Sequence, residues 1–122
     1  DYQIQLTRRI RGMPLWFSLA MHGTEKYRSA IERGISLAKI AAGKIEKRPY
    51  LEMVRPESLS VVLFRRIGWT AEQYRDWTYR NHREGIALVT PTIWKNETIS
   101  RFCFINPDTT EADIDLILDT LK

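Results

Sequence analysis

The residue best equipped for chemistry in this sequence is an arginine at the start of a strand-like run. In SRFCFIN (100–106), apolar and aromatic residues put Phe102 and Phe104 on one face of a pleat. Arg101, Cys103 and Ile105 then fall on the other. A guanidinium offers a planar, two-pronged donor to a carboxylate and stays charged at any working pH. The chemistry open to Arg101 is therefore to hold a carboxylate, whether on a substrate or on an acidic side chain across a domain boundary. A third use is a strand-end charge reaching back to water. Arg8 and Arg9 form a second cationic pair, able to position a loop or meet an acid at an interface. His22 precedes Gly23 and His82 ends a charged helix, where the helix dipole favours a partly cationic imidazole in a structural role. Cys103 is the single cysteine and is expected to be a small buried hydrophobe. Trp69, Trp77 and Trp94 are expected to pack in the core or at its rim. Lys39, Lys44 and Lys47 are expected to be solvated charges on a helix.

These residues need elements to position them. Gly12, Pro14 and Gly23 bracket a short apolar helix over 14–22. A long helix follows from Thr24 to Lys47, with Tyr27, Ile31, Ile35, Ala38, Ala42 and Ile45 on one stripe. Gly34 and Gly43 weaken it and leave room for close packing. Thr70-Ala-Glu-Gln73 is a capping box that starts a third helix ending before Gly85. A fourth begins near Thr110, with Ile114, Ile117, Leu118 and Leu121 at helical spacing. Strand candidates are 50–54, 59–65, 86–94 and 98–105, the last two joined by a turn at Lys95-Asn96-Glu97. Short loops between successive strands favour antiparallel pairing. The fold class is therefore α+β: a small antiparallel sheet of about four strands with helices on one face.

The 122 residues are 43% hydrophobic and 28% charged, which suits one soluble domain with one core. No apolar run approaches the roughly 18–20 residues that span a bilayer, and the first twelve residues lack the apolar core of a secretory signal. A reducing, cytoplasmic setting is expected, with no membrane partner. The net charge of +4 invites nucleic acid, but basic residues are interleaved with acidic ones and the C-terminal helix is acidic, so no nucleic-acid partner is expected. An RNA-binding sheet would need Phe102 and Phe104 uncovered. Ile10, Leu15, Trp16, Phe17, Leu19 and Met21 have no obvious place in a two-layer core, which suggests a missing partner.

Several stretches together resemble the pyridoxal-phosphate-dependent group II amino-acid decarboxylases. The features are Tyr2-Gln3-Ile4, Arg8-Arg9, Leu15-Trp16-Phe17 and Gly23, then LSVVLFR (59–65), then ISRFCFINPDTTEADID (99–115). The resemblance covers essentially the whole chain. It implies the C-terminal small domain of a fold-type-I enzyme (24–122), preceded by an exit segment from a missing large domain (1–23). It implies release of CO2 from an L-amino acid to give an amine, with pyridoxal phosphate as cofactor, and a homodimer as the assembly. Its partners would be its own large domain, a second subunit and a small amino-acid substrate. The family's cofactor lysine stands in a His-Lys pair that this sequence lacks, so the chain alone is expected to be inactive and to contribute no catalytic or cofactor-binding residue. In glutamate decarboxylases the position matching Arg101 is implicated in holding a substrate carboxylate. Pro14 departs from the usual Lys or Leu. The alternative is a stand-alone interaction module docking through the Trp16/Phe17 helix.

Overall fold

Whether the first half of the chain is one helix or two depends on a single glycine. The computed structural model describes residues 10–122, and in it α1 runs from Met13 to Glu46 with its backbone broken at Gly23 (φ 73°, ψ 165°). That region of backbone space is essentially closed to residues with a Cβ. The two helices expected on either side of Gly23 are therefore present, meeting at a sharp kink within the one element labelled α1. Beyond the kink, Gly34, Leu37, Ala38, Ala41, Ala42 and Ile45 are buried. The expected stripe holds for Ala38, Ala42 and Ile45. Ile31, placed on the same stripe, is exposed, because the sheet and the other helices meet only the C-terminal half of α1.

Four antiparallel strands follow: β1 (Leu51–Met53), β2 (Val61–Arg66), β3 (Pro91–Trp94) and β4 (Glu97–Cys103), in the order β1-β2-β4-β3. Lys95 and Asn96 turn the β3–β4 hairpin with φ of 47° and 67°, the left-handed pair of a two-residue turn. Glu97 already pairs with Trp94, so the turn is one residue shorter than expected.

The strand expected over 86–94 begins only at Pro91, and the reason lies in α2 (Ala71–Arg83). The amides of Ile86 and Ala87 both donate to the Asn81 carbonyl, and Thr78 Oγ1 donates to the Val89 carbonyl. Residues 86–89 are committed to the end of that helix and not to a ladder. The Thr70–Gln73 capping box is present. A second one, Thr110–Asp113, starts α3 (Glu111–Asp119).

All three helices contribute to the same core. Leu37, Ala41 and Ile45 of α1, Trp77 of α2, and Ile114 and Leu118 of α3 form one buried cluster with Val62, Phe64 and Phe102 of the sheet. The Phe64 and Phe102 rings lie 4.8 Å apart. Burial of such side chains stabilises by about 1.5–3 kcal/mol each. Trp77 Nε1 and Asn81 Nδ2 both donate to Thr120 Oγ1, tying α2 to the end of α3 inside that core.

Around the core, the basic end of α1 meets the acidic α3. Lys44 is not the solvated charge expected: its Nζ lies 2.6 Å from Asp115 and 3.5 Å from Glu111. Arg48 reaches both Asp115 and Asp119. The hydrogen bond from Lys44, then that from Arg48, holds the Asp115 carboxyl below its ordinary range, and Asp115 in turn raises Lys44. Lys39 and Lys47 are exposed, as expected.

Two consequences can be measured. At Gly34 an added Cβ would stand 2.8 Å from the Phe104 carbonyl oxygen, whereas at Gly43 it would meet nothing within 4 Å. Gly34→Ala should therefore destabilise, an overpacking cost of about 1–3 kcal/mol outweighing the helix gain. Gly43→Ala should stabilise by about 0.5–1 kcal/mol in chemical denaturation. The Asp115–Lys44 contact should be lost at both pH extremes. Asp115, depressed by folding, stabilises above its unfolded value of about 3.9 and ceases to do so as pH falls through its lower folded value. Lys44, raised by folding, stabilises below about 10.4 and ceases to do so as pH climbs through its higher folded value. Melting temperature against pH should fall less steeply below about pH 4 in Asp115→Asn than in the parent chain.

Candidate functional site

Among the described residues the three helices lie on one face of the sheet, and the other face is what remains for function. β4 runs through the middle of the sheet, between β2 and β3, and its residues alternate between the two environments. Ser100 and Phe102 are buried toward the helices, whereas Arg101 and Cys103 are exposed. The alternation expected for Arg101 is observed. The expectation that Cys103 would be buried is not: its register opposite Val61 puts it on the uncovered face, where its thiol is exposed.

On that face Arg101 stands opposite Leu63. Its side chain makes no hydrogen bond or ion pair among the described residues. Toward the hairpin end, Arg65 pairs across the sheet with Glu52 at 3.2 Å and with Glu97 at 2.8 Å. The Arg55 guanidinium lies 6.0 Å from the Trp94 ring centroid, within cation–π range. Ile99 is fully buried on this side, while Ile105, at the far end, is 83% exposed. One half of the face is thus closed by charges that satisfy one another. The other half presents a lone guanidinium beside a thiol and apolar side chains, an arrangement suited to a carboxylate joined to an apolar body.

Where β4 leaves the sheet, a groove of about 420 Å³ opens between α1 and the Leu59–Ser60 turn. Tyr27, Ala30, Ile31, Ile35, Phe104 and Ile105 line it. The remaining expected residues do not converge on this region. His22 and His82 are exposed on different helices, and Arg8 and Arg9 lie outside the described residues. Trp77 is a core residue, while Trp69 and Trp94 are half-buried. Among the described residues, no group of three or more His, Cys, Asp and Glu could hold a metal ion, and no helix is long and apolar enough to cross a membrane.

Two features were not visible from sequence. Arg66 stacks between Tyr50 and Trp69, at 5.1 and 5.8 Å from their ring centroids, and donates to the Leu121 carbonyl at 2.6 Å. The α1–α3 ion network was equally hidden. The acidic α3 and the basic end of α1 were the available signal, but only the fold brings them together.

The model of the pyridoxal-dependent decarboxylase conserved domain matches residues 1–67. An aromatic-L-amino-acid decarboxylase of Bacillus atrophaeus is 30% identical over 130 residues, covering 98% of this chain and 26% of that protein. The glutamate decarboxylase domain of a diaminobutyrate–pyruvate transaminase and L-2,4-diaminobutyrate decarboxylase from Vibrio parahaemolyticus superposes with a TM-score of 0.80. Its identity is 24%, over 94% of this chain and 26% of that one. Oryza sativa TDC, solved with PLP and tryptamine, gives 0.78 at 24% identity, over 98% and 28%. This chain therefore spans about a quarter of the length of the relatives it matches.

The geometry separates the two faces of β4 energetically. Arg101→Ala should change the stability of the chain by less than about 0.5 kcal/mol. Phe102→Ala should cost about 3–5 kcal/mol. Urea denaturation of the two variants checks this, and a large loss for Arg101→Ala would mean that the guanidinium has a structural partner.

Proposed function

This chain belongs to the pyridoxal-dependent decarboxylase family, and on that premise we propose that it is the C-terminal part of a pyridoxal-phosphate-dependent amino-acid decarboxylase. The intact protein would release CO2 from an L-amino acid and leave an amine. The observation that carries this reading is the uncovered half of the sheet, where Arg101 is exposed without an ion pair among the described residues. Residues 24–122 are the small domain in this proposal, and 1–23 the segment leading in from the large domain.

The described residues do not by themselves make a site for pyridoxal phosphate. Lys26, Lys39, Lys47, Lys95 and Lys122 are exposed to solvent, and Lys44 is engaged with Asp115 and Glu111. A lysine that holds an aldehyde cofactor must instead stand in an enclosed site with its amine free to lose a proton. Bound elsewhere in the intact protein, the cofactor would supply the electron sink for decarboxylation. The part assigned to this chain is narrower. Arg101 would take the substrate carboxylate, and the apolar residues beside it would exclude water. Arg8 and Arg9 would position a loop or an interface acid. The protein would work in the cytoplasm as a homodimer, which sedimentation of the intact protein and fractionation of its source cells can check.

One observation favours a second reading, an interaction module docking through its first helix: Trp16 and Phe17 are 63% and 50% exposed, their rings stacked edge to face 5.1 Å apart. The two readings part on the intact gene product, since only the first requires CO2 release from an amino acid on addition of pyridoxal phosphate.

In that protein Arg101→Lys keeps the charge and loses the fork. It should cost about 1.5–3 kcal/mol in kcat/KM, with cofactor content unchanged. Unchanged kinetics together with weakened dimerisation or early unfolding would instead make Arg101 an interdomain ion-pair residue.

A further inference from the structure

The part of α1 before Gly23 is bound to the rest of the molecule very lightly. Leu15, Trp16, Phe17 and Met21 are each at least half exposed, and none belongs to the buried cluster or packs against it. A side-chain contact crosses the kink: the hydroxyls of Ser18 and Tyr27 are hydrogen bonded. This bond shows the direction of the bend, because Tyr27 lines the apolar groove beside α1. A smaller crevice, about 160 Å³, lies at the kink between His22 on one side and Lys26, Tyr27 and Ala30 on the other.

We propose that Met13–His22 is a lid hinged at Gly23, which closes onto the body of α1 and covers the crevice and the near end of the groove. The spacing matches on both sides of the hinge. Leu15 lies one turn before Ser18 on the same side of the lid, being three residues from it, and Leu19 extends Leu15's row four residues on. One turn beyond Tyr27, Ala30 and Ile31 stand on Tyr27's face of the body. Folding about Gly23 therefore continues the existing Ser18–Tyr27 contact outward into an apolar seam, Leu15 meeting Ala30 and Ile31. Ile31 and Leu15, 62% and 59% exposed, are the residues such closure would bury. Trp16 and Phe17 fall off the seam and stay outward, so closure leaves them free. The hinge is chemically specific, since its backbone conformation is reserved for glycine.

The test is disulfide trapping in the full 122-residue chain with Cys103→Ser, so that only introduced thiols react. One variant carries Leu15→Cys and Ile31→Cys. A control carries Phe17→Cys and Ile31→Cys, since position 17 lies on the opposite side of the lid from position 15. All are exposed positions, and circular dichroism establishes that each variant keeps its fold. Under a mild oxidant the Leu15 pair should close within one chain at least about tenfold faster than the control. Adding Gly23→Ala, which penalises the hinge conformation, should slow it by on the order of tenfold. Equal rates for the two pairs, no disulfide within a chain, or disulfides only between chains would each overturn the proposal. The last outcome would assign the surface to a second copy instead.

Discussion

A sheet with helices on one side has two faces and, among the described residues, only one cover. That constraint organises the molecule. The hydrophobic stripe of α1, Trp77 of α2 and the apolar side of α3 all converge on Val62, Phe64 and Phe102. Because β4 is an interior strand and side chains alternate along it, burying Phe102 obliges Arg101 and Cys103 to face away. The arginine is held there by the same packing that stabilises the domain, with no need for a contact of its own. A rigid strand is a better support for a binding group than a loop, since neighbouring strands fix its direction.

The uncovered face divides its charges unequally. Arg65 is bracketed by Glu52 and Glu97, and Arg55 lies over Trp94, so the hairpin end of the face is electrostatically closed. Arg101 lies beyond that group, beside Cys103 and near Ile105. An uncompensated cation on an apolar surface attracts an anion strongly once water is excluded, which is the setting expected if another part of a larger protein closes over it. Under the decarboxylase proposal, that anion would be the carboxylate of an amino acid.

Much of this was legible in the sequence, for local reasons. The alternation in SRFCFIN placed Arg101 opposite Phe102, the Thr70–Gln73 box marked a helix start, and Gly23 marked the break in the first helices. These signals are written within a few residues of one another. What the sequence hid was long-range. Cys103 looked like a buried hydrophobe because strand periodicity cannot say which face is covered. Lys44 looked solvated because its partners, Glu111 and Asp115, are remote in sequence. Residues 86–89 looked like strand because nothing local revealed that Asn81 would capture the amides of Ile86 and Ala87 and Thr78 the carbonyl of Val89. Gly34 and Gly43 looked equivalent, and only the approach of the Phe104 carbonyl distinguishes them. Arg8 and Arg9 lie outside the described residues, and their roles rest on the sequence alone.

The central claim is that the face bearing Arg101 and Cys103 is turned toward the remainder of an intact decarboxylase. The most direct measurement is the alkylation rate of Cys103, followed by mass spectrometry of its peptide, in the 122-residue chain and in the intact protein. The thiol should react freely in the chain and be strongly protected in the intact protein, more so with an unreactive substrate analogue bound. Equal reactivity in all three states would mean that this face of the sheet looks onto solvent, and that Arg101 serves no site.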